Sequence, residues 1–195
     1  MDVEVRDARP RDIDDVANFA TETWDGWDYI PNVWDDWLKE DGSVTLVAER
    51  KSGVVGVVHA TTRGDEGWLE GMRVDEKNRR EGVGSTLTET AFERLADEGA
   101  SVTRCMAFDE NEAALGLLDE LGFERTATFR HGRGFGFPYG SMIEEANYEE
   151  SLRVLRDSEA FEAADGLYAT EDWRMWSVPE TVEEYGGDVL GFVED

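Results

Sequence analysis

Cysteine, lysine and long apolar runs are all scarce in this chain, and each scarcity excludes something. The single cysteine, Cys105, has no partner for an internal disulfide and cannot build a cysteine-rich metal site, so no metal is expected. No run approaches the ~18 consecutive apolar residues of a membrane-spanning helix. The opening residues MDVEVRDARP lack a basic stretch followed by an apolar one, so a signal peptide is not expected. Together these absences point to a soluble cytoplasmic protein with no membrane partner. Lysine is nearly missing: Lys39, Lys51 and Lys77 stand against sixteen arginines, and 46 acidic residues bring the formal net charge to -27. A surface this negative repels nucleic acid, so DNA and RNA are excluded as partners.

The acids run through the whole chain instead of forming one tail, and seven tryptophans are distributed among them. A disordered acidic tail would be local and poor in aromatics. The better match is a folded, halophilic protein, because at 1 M salt self-repulsion is screened over ~3 Å. Apolar residues make up 40% of the 195, enough to bury a core in one domain with room for an appendage.

Periodicity places the elements. Val3 to Arg6 alternates like a short strand, and Asp12 is placed to cap a helix from Ile13 to about Thr23. A tryptophan-rich stretch follows, TWDGWDYIPNVWDDWL, in which Pro31 starts a second short helix. Val44–Arg50 and Val54–Arg63 read as a hairpin joined by Lys51-Ser52-Gly53, and Trp68–Val74 adds a third strand. Helices are predicted over 84–98 and 111–121, with strands over 101–108 and 124–131. The order is β-α-α-β-β-β-α-β-α-β, an α/β chain with a mixed sheet. This predicts a first domain over 1–132. A C-terminal αβ appendage over 133–195 follows, opening on the glycine-aromatic loop GRGFGFPYG, with a helix from Ile143 to about Ala164 and strand within Leu167–Trp176.

The stretch NRREGVGSTL, from Asn78 to Leu87, places Gly82 and Gly84 one residue apart beside Arg79 and Arg80 at the mouth of a helix. It is not a P-loop, since Gly84 is followed by Ser85-Thr86 and no lysine. It is not a dinucleotide fingerprint either, since Leu87 stands where the third glycine belongs. Two readings remain: an ordinary glycine-rich helix start, or a loop whose amides and helix N-terminus face a phosphate.

Strand Trp68–Val74, then Arg79-x-x-Gly82-x-Gly84, then a helix, resembles the signature of the GNAT family of N-acetyltransferases. NEAALGLLDELGFE resembles the family's fourth helix and the turn after it, and VRDARPRDIDDVANF resembles its first strand and helix; together they span about residues 3–131. The resemblance implies a GNAT-like acyl-CoA N-acyltransferase fold and acetyl-CoA as co-substrate. Met72, Arg73 and Val74 would run beside the pantetheine arm. The phosphate loop would be Arg79, Arg80, Glu81, Gly82, Val83, Gly84 and Ser85. Asn111 corresponds to a residue that contacts the cofactor arm, a role compatible with capping its helix.

Glu70 matches a glutamate proposed as the base in polyamine acetyltransferases, and a period of two would put it on one strand face with Met72 and Val74. Against this, acids are so frequent here that one at position 70 is unsurprising. Trp24, Trp27 and Asp28 fall in the segment that walls the acceptor site in the family. Tryptophans also serve burial, and that bland reading is the favoured one for this stretch. The family's tyrosine that protonates departing CoA has Leu118 at its place, with His131 and Tyr139 as stand-ins. The implied activity is acetyl transfer to a primary amine of a small molecule or amino acid, by direct attack in a ternary complex, and a homodimer is allowed. The alternatives are a protein N-terminus or lysine as acceptor, or a CoA-binding sensor with weakened catalysis.

The charge generates the first prediction. Salt should raise thermal stability, because screening relieves repulsion among the acids. Melts from low to molar salt check this, and a melting temperature that falls steadily with salt contradicts it.

Overall fold

A computed structural model of the chain describes residues 3–21, 26–129, 143–146, 152–153, 155–169, 174–178 and 191–194. Contacts divide the chain into two compact units, Met1–Phe123 and Glu124–Asp195, earlier than the expected boundary after Gly132.

In the first unit the order is β1 (Glu4–Asp7), α1 (Ile13–Ala20), α2 (Ile30–Trp37), β2 (Ser43–Arg50), β3 (Gly53–Arg63), β4 (Glu66–Val74), α3 (Val83–Asp97), β5 (Val102–Cys105) and α4 (Glu112–Glu120). Single-turn 3-10 helices cover Pro10–Asp12 and Glu76–Asn78. The five strands form one sheet in sequential order, antiparallel except for the parallel pair β4–β5. The β-branched run of β3 is buried from Val54 to Thr61, as befits a strand covered on both faces.

The two faces carry two cores. Under α3, Leu46, Val58, Ala60 and Leu69 pack against Val83, Leu87, Ala91 and Leu95. Under α1 and α2, Val47, Val54 and Val57 pack against Val16, Ala20, Ile30, Trp34 and Trp37. The tryptophans of α2 are thus core residues.

Asp12 does not cap α1. Its carboxylate instead accepts two hydrogen bonds from Arg6, at 2.6 and 3.0 Å, and one from the Arg9 amide at 2.8 Å. Burial pushes the Asp12 carboxyl up, but the Arg6 and Arg9 hydrogen bonds outweigh it and hold it below its ordinary value.

Two sequence-based expectations after α4 differ from the structure. Residues 124–129 form no strand; they alternate in sequence but are mostly exposed, with no ladder partner among the described residues. The predicted helix from Ile143 to Ala164 starts instead as a strand, β6 (Ile143–Ala146), paired antiparallel with β9 (Gly191–Glu194). Pairing with a distant segment overrides local helix propensity there. Farther on, helix is present among the described residues at 152–153 and 155–156 and over Glu159–Ala163, α5, which Ser158 caps by accepting from the Phe161 amide at 3.1 Å. β7 (Leu167–Ala169) and β8 (Met175–Ser177) then pair antiparallel, as the strand content expected there requires. His131, Tyr139 and the loop GRGFGFPYG lie outside the described residues.

One irregularity in the main sheet governs the site. Between the pairs Val57–Arg73 and His59–Glu70 there is one residue on β3 but two on β4, Gly71 and Met72. Gly71 takes the left-handed conformation, φ +64°, as the first residue of such a bulge does. A Cβ there would collide with the Trp37 ring of α2. Gly71→Ala should therefore cost about 2–5 kcal/mol, combining the left-handed penalty with overpacking. Urea unfolding measures it, and a loss below that range means Trp37 does not press on Gly71.

Candidate active site

The parallel pairing of β4 with β5 covers only Glu66–Leu69 against Val102–Cys105. From Glu70 to Val74, β4 has its β3 partner on one side and no β5 partner on the other. This leaves a stretch of strand edge whose amides and carbonyls can pair with an extended ligand. Burial pushes the thiol of Cys105, at the last paired position, up to about 11, so it stays protonated and unreactive near neutral pH.

The bulge sorts the side chains of that stretch between the two faces. Met72 and Val74 pack on the α3 core. Gly71 faces Trp37, and Arg73 reaches Asp28 in the segment leading into α2. Glu70 follows Leu69, which belongs to the α3 core, and pairs with His59, which stacks on Trp37. Glu70 therefore lies on the α2 face, opposite Met72 and Val74. The shared face expected from a period of two does not survive the extra residue.

At the end of β4 the chain turns through Asp75, whose carboxylate accepts from the Lys77 amide at 3.4 Å and the Asn78 side chain at 2.7 Å. Arg50, at the end of β2, donates to Asn78 at 2.8 Å and to Glu81 at 2.6 Å, pinning the loop from outside. The Glu81 side chain thus turns back toward β2. Arg79 donates through Nε to the Val74 carbonyl at 3.1 Å. Arg80 is exposed and left-handed, φ 59°.

Gly82 is the N-cap of α3, with φ 78°, and no side chain caps the helix. A left-handed residue followed directly by a right-handed helix turns consecutive amides inward, a nest for an anion. The amides of Val83, Gly84 and Ser85, in the first turn, have no intrahelical acceptor. Gly84 also has a packing role, since a Cβ there would come within 3.2 Å of Leu117 on α4.

Asp28 is fully buried at its side chain. One oxygen accepts from the Ile30 amide at 2.9 Å and the other from Arg73 Nε at 2.8 Å. Arg73 also donates to the Met72 carbonyl at 3.0 Å and sits 5.6 Å from the Tyr29 ring centroid. Asp28 thus fastens the segment leading into α2 to β4 and has no oxygen turned to solvent. Trp27 is exposed over 59% of its surface, unlike Trp34 and Trp37, while Trp24 lies outside the described residues. Asn111 caps α4 by accepting from the Ala114 amide at 3.1 Å. Leu118 is half-buried on that helix.

Sequence reasoning missed His59, Glu40 and Gly71. The signals were present: a histidine inside the apolar run VVGVVHA, and an isolated glycine inside a strand, which marks a bulge.

The fold has counterparts among known proteins. The acetyltransferase (GNAT) family model matches residues 11–123, more than half of the chain. A mycothiol acetyltransferase of Kytococcus sedentarius is 30% identical over 103 residues, 51% of this chain and 34% of its own length. Human N-acetyltransferase 8B is 31% identical over 103 residues, 50% of this chain and 45% of its own. The chain thus spans less than half the length of these curated relatives. Among solved structures, AAC(6')-Iy in complex with the bisubstrate analog CoA-S-monomethyl-acetylneamine superposes with a TM-score of 0.59 at 19% identity, over 69% of this chain and 99% of that one. The ribosomal-protein-S18-alanine N-acetyltransferase from Escherichia coli gives 0.57 at 18% identity, over 65% and 79%. At such identities the structures attest the fold, and the family match carries the assignment. A mixed sheet with an interrupted β4–β5 pair above a glycine-capped helix, matched over these residues, makes this chain a member of the GNAT family of acetyltransferases.

Proposed function

We propose that the chain is an acetyl-CoA-dependent N-acetyltransferase acting on a primary amine of a small molecule or amino acid, by direct attack in a ternary complex. The observation that carries this is the open edge of β4 from Glu70 to Val74, which leads to the uncapped start of α3. The residues fit acetyl-CoA on both counts. The backbone of Met72, Arg73 and Val74 offers a chain of amides an edge without a β5 strand on it, where the Met72 and Val74 carbonyls accept from the Arg73 and Arg79 side chains, and the amides from Gly82 to Ser85 offer a nest to a pyrophosphate. Arg80, exposed and in no ion pair among the described residues, adds positive charge to a protein otherwise strongly negative. Acetyl-CoA supplies the thioester carbonyl that the amine attacks.

The chain's part is proton transfer and positioning. An amine reaches the site mostly protonated, with a pKa of ~10.4 for a lysine-like group and ~8 for an α-amine. Glu70 is the proposed base: the proton leaves the ammonium nitrogen for a Glu70 oxygen. Its place on the α2 face, beside the acceptor-side segment, supports this role better than the face of Met72 and Val74 would. Leu118 offers no proton to the departing thiol, whose pKa of ~8.5 makes the thiolate a tolerable leaving group. The protonated thiol of Cys105 supports direct attack over a covalent route through cysteine. Small-molecule acceptors are supported by the names of the relatives, a mycothiol acetyltransferase and an aminoglycoside N-acetyltransferase. The lone cysteine supports a cytoplasmic location.

Two substitutions test the reading. Gly82→Ala forces either a strained left-handed alanine or a reshaped loop, and should weaken acetyl-CoA binding roughly tenfold. Calorimetric titration measures this, and unchanged affinity in the folded variant removes the phosphate-loop assignment. Glu70→Gln should lower kcat by ~10²–10⁴-fold at neutral pH and leave acetyl-CoA affinity intact. Steady-state assays over a panel of primary amines decide it; near-native kcat would show that the proton leaves by another group.

A further inference from the structure

The α2 face of the sheet carries a titratable group that the proposed transfer leaves unused. His59, in β3, has no exposed surface. Its ring stacks on Trp37, with centroids 4.4 Å apart and planes 4° from parallel. Nδ1 lies 2.9 Å from the Thr45 hydroxyl, and Nε2 lies 3.2 Å from a carboxylate oxygen of Glu40. An ionised carboxylate can only accept, so Nε2 carries a proton and donates it to Glu40. Thr61 donates to the other oxygen of Glu40 at 3.4 Å. Glu40 comes from the connection between α2 and β2, and its side chain keeps 30% of its surface exposed. Both of its oxygens are therefore held over β3 while the side chain stays partly exposed.

His59 is also the cross-strand partner of Glu70. Side chains of directly paired residues are neighbours on one sheet face. Trp37 roofs this place, since it stacks on His59 and lies against Gly71, the residue after Glu70. One buried imidazole thus holds Glu40 by a hydrogen bond and has Glu70 as its cross-strand neighbour. Other charged groups on this face include Arg73, which Asp28 holds at 2.8 Å; Arg6, bonded to Asp12 and Glu49 at 2.6 Å; and, farther along, Arg63, Glu66 and Arg104, with Glu66 bonded to Arg104 at 2.6 Å.

We propose that His59 and Glu40 are positioning residues for the proton transfer: the imidazole holds the Glu40 carboxylate beside Glu70, and that second negative charge keeps Glu70 basic enough to take the amine proton. The proposal rests on the reading of Glu70 as the base. A like charge nearby disfavours the ionised form and raises basicity, and a base poised closer to neutral pH is the more effective one. Trp37 contributes by excluding water from the stack, which keeps the interaction between the carboxylates from being screened.

Carboxyl-carbon NMR titration of the full chain, with glutamate labelled at its side-chain carboxyl, tests this without any acceptor. The Glu70 signal is the one missing from Glu70→Gln. Its midpoint should fall by about one pH unit in Glu40→Gln, where the neighbouring charge is gone. It should fall similarly in His59→Phe, which can keep the stack but releases Glu40. It should stay in place in His59→Gln, which retains an N–H for Glu40. An unmoved midpoint in Glu40→Gln overturns the proposal even if the base assignment stands; that substitution is isosteric at a part-exposed residue, so the test survives a His59→Phe variant that fails to fold. Movement in His59→Gln as large as in His59→Phe also overturns it, because the holding N–H would then be irrelevant. The base assignment is read separately from the kcat of Glu70→Gln, and near-native turnover there removes this proposal with it.

Discussion

One left-handed glycine sets the arrangement on which the rest depends. Gly71 inserts an extra residue into β4 against the ring edge of Trp37, and every side chain beyond it changes face relative to a regular strand. Glu70 stays on the α2 side with His59, Arg73 reaches toward Asp28, and Met72 and Val74 turn into the α3 core. The same stretch is where β4 has no β5 partner. A regular strand would put Glu70 and Met72 on one face. The bulge separates the residue proposed to handle the proton from the residues that anchor the strand.

Arginine does the fastening around this point, which gives the lysine-poor composition a structural sense. Arg73 ties β4 to the segment entering α2, Arg50 ties β2 to the loop before α3, and Arg6 ties β1 to Asp12 and Glu49. Each makes two or more hydrogen bonds with one planar group, which lysine's single ammonium cannot match in geometry. Partly buried pairs of this kind are less open to salt screening than exposed ones. That suits a chain with a net charge of -27, in which exposed acids are available for solvation and buried ones are matched to a guanidinium.

Much of this was legible in the sequence. The hairpin, the third strand, the glycine-headed helix and the helix after Asn111 follow from period, turn residues and caps, and they appear with bounds shifted by a few residues. The glycine pair was legible as a helix start without a capping side chain. The face of Glu70 was not read, because a period-two argument presumes an unbroken ladder and the bulge at Gly71 breaks it. Asp28 read as part of the segment that walls an acceptor site; its bond to Arg73 was not legible, since sequence spacing does not reveal a partner 45 residues away. The segment from Ile143 read as helix, yet pairing with Gly191–Glu194 makes Ile143–Ala146 a strand, and helix is present only farther on among the described residues. His59 was hidden by its setting: inside a valine-rich strand it looks like core, and only the ladder reveals Glu70 beside it.

The central claim is that the open stretch of β4 and the bare start of α3 form one cofactor groove with Glu70 on its acceptor side. A crystal structure of the chain grown with CoA tests it most directly. The account predicts the pantetheine amides paired with the backbone of Met72–Val74, and the pyrophosphate on the amides from Gly82 to Ser85. CoA bound elsewhere, or β5 pairing along the whole of β4 in the presence of CoA, would contradict it.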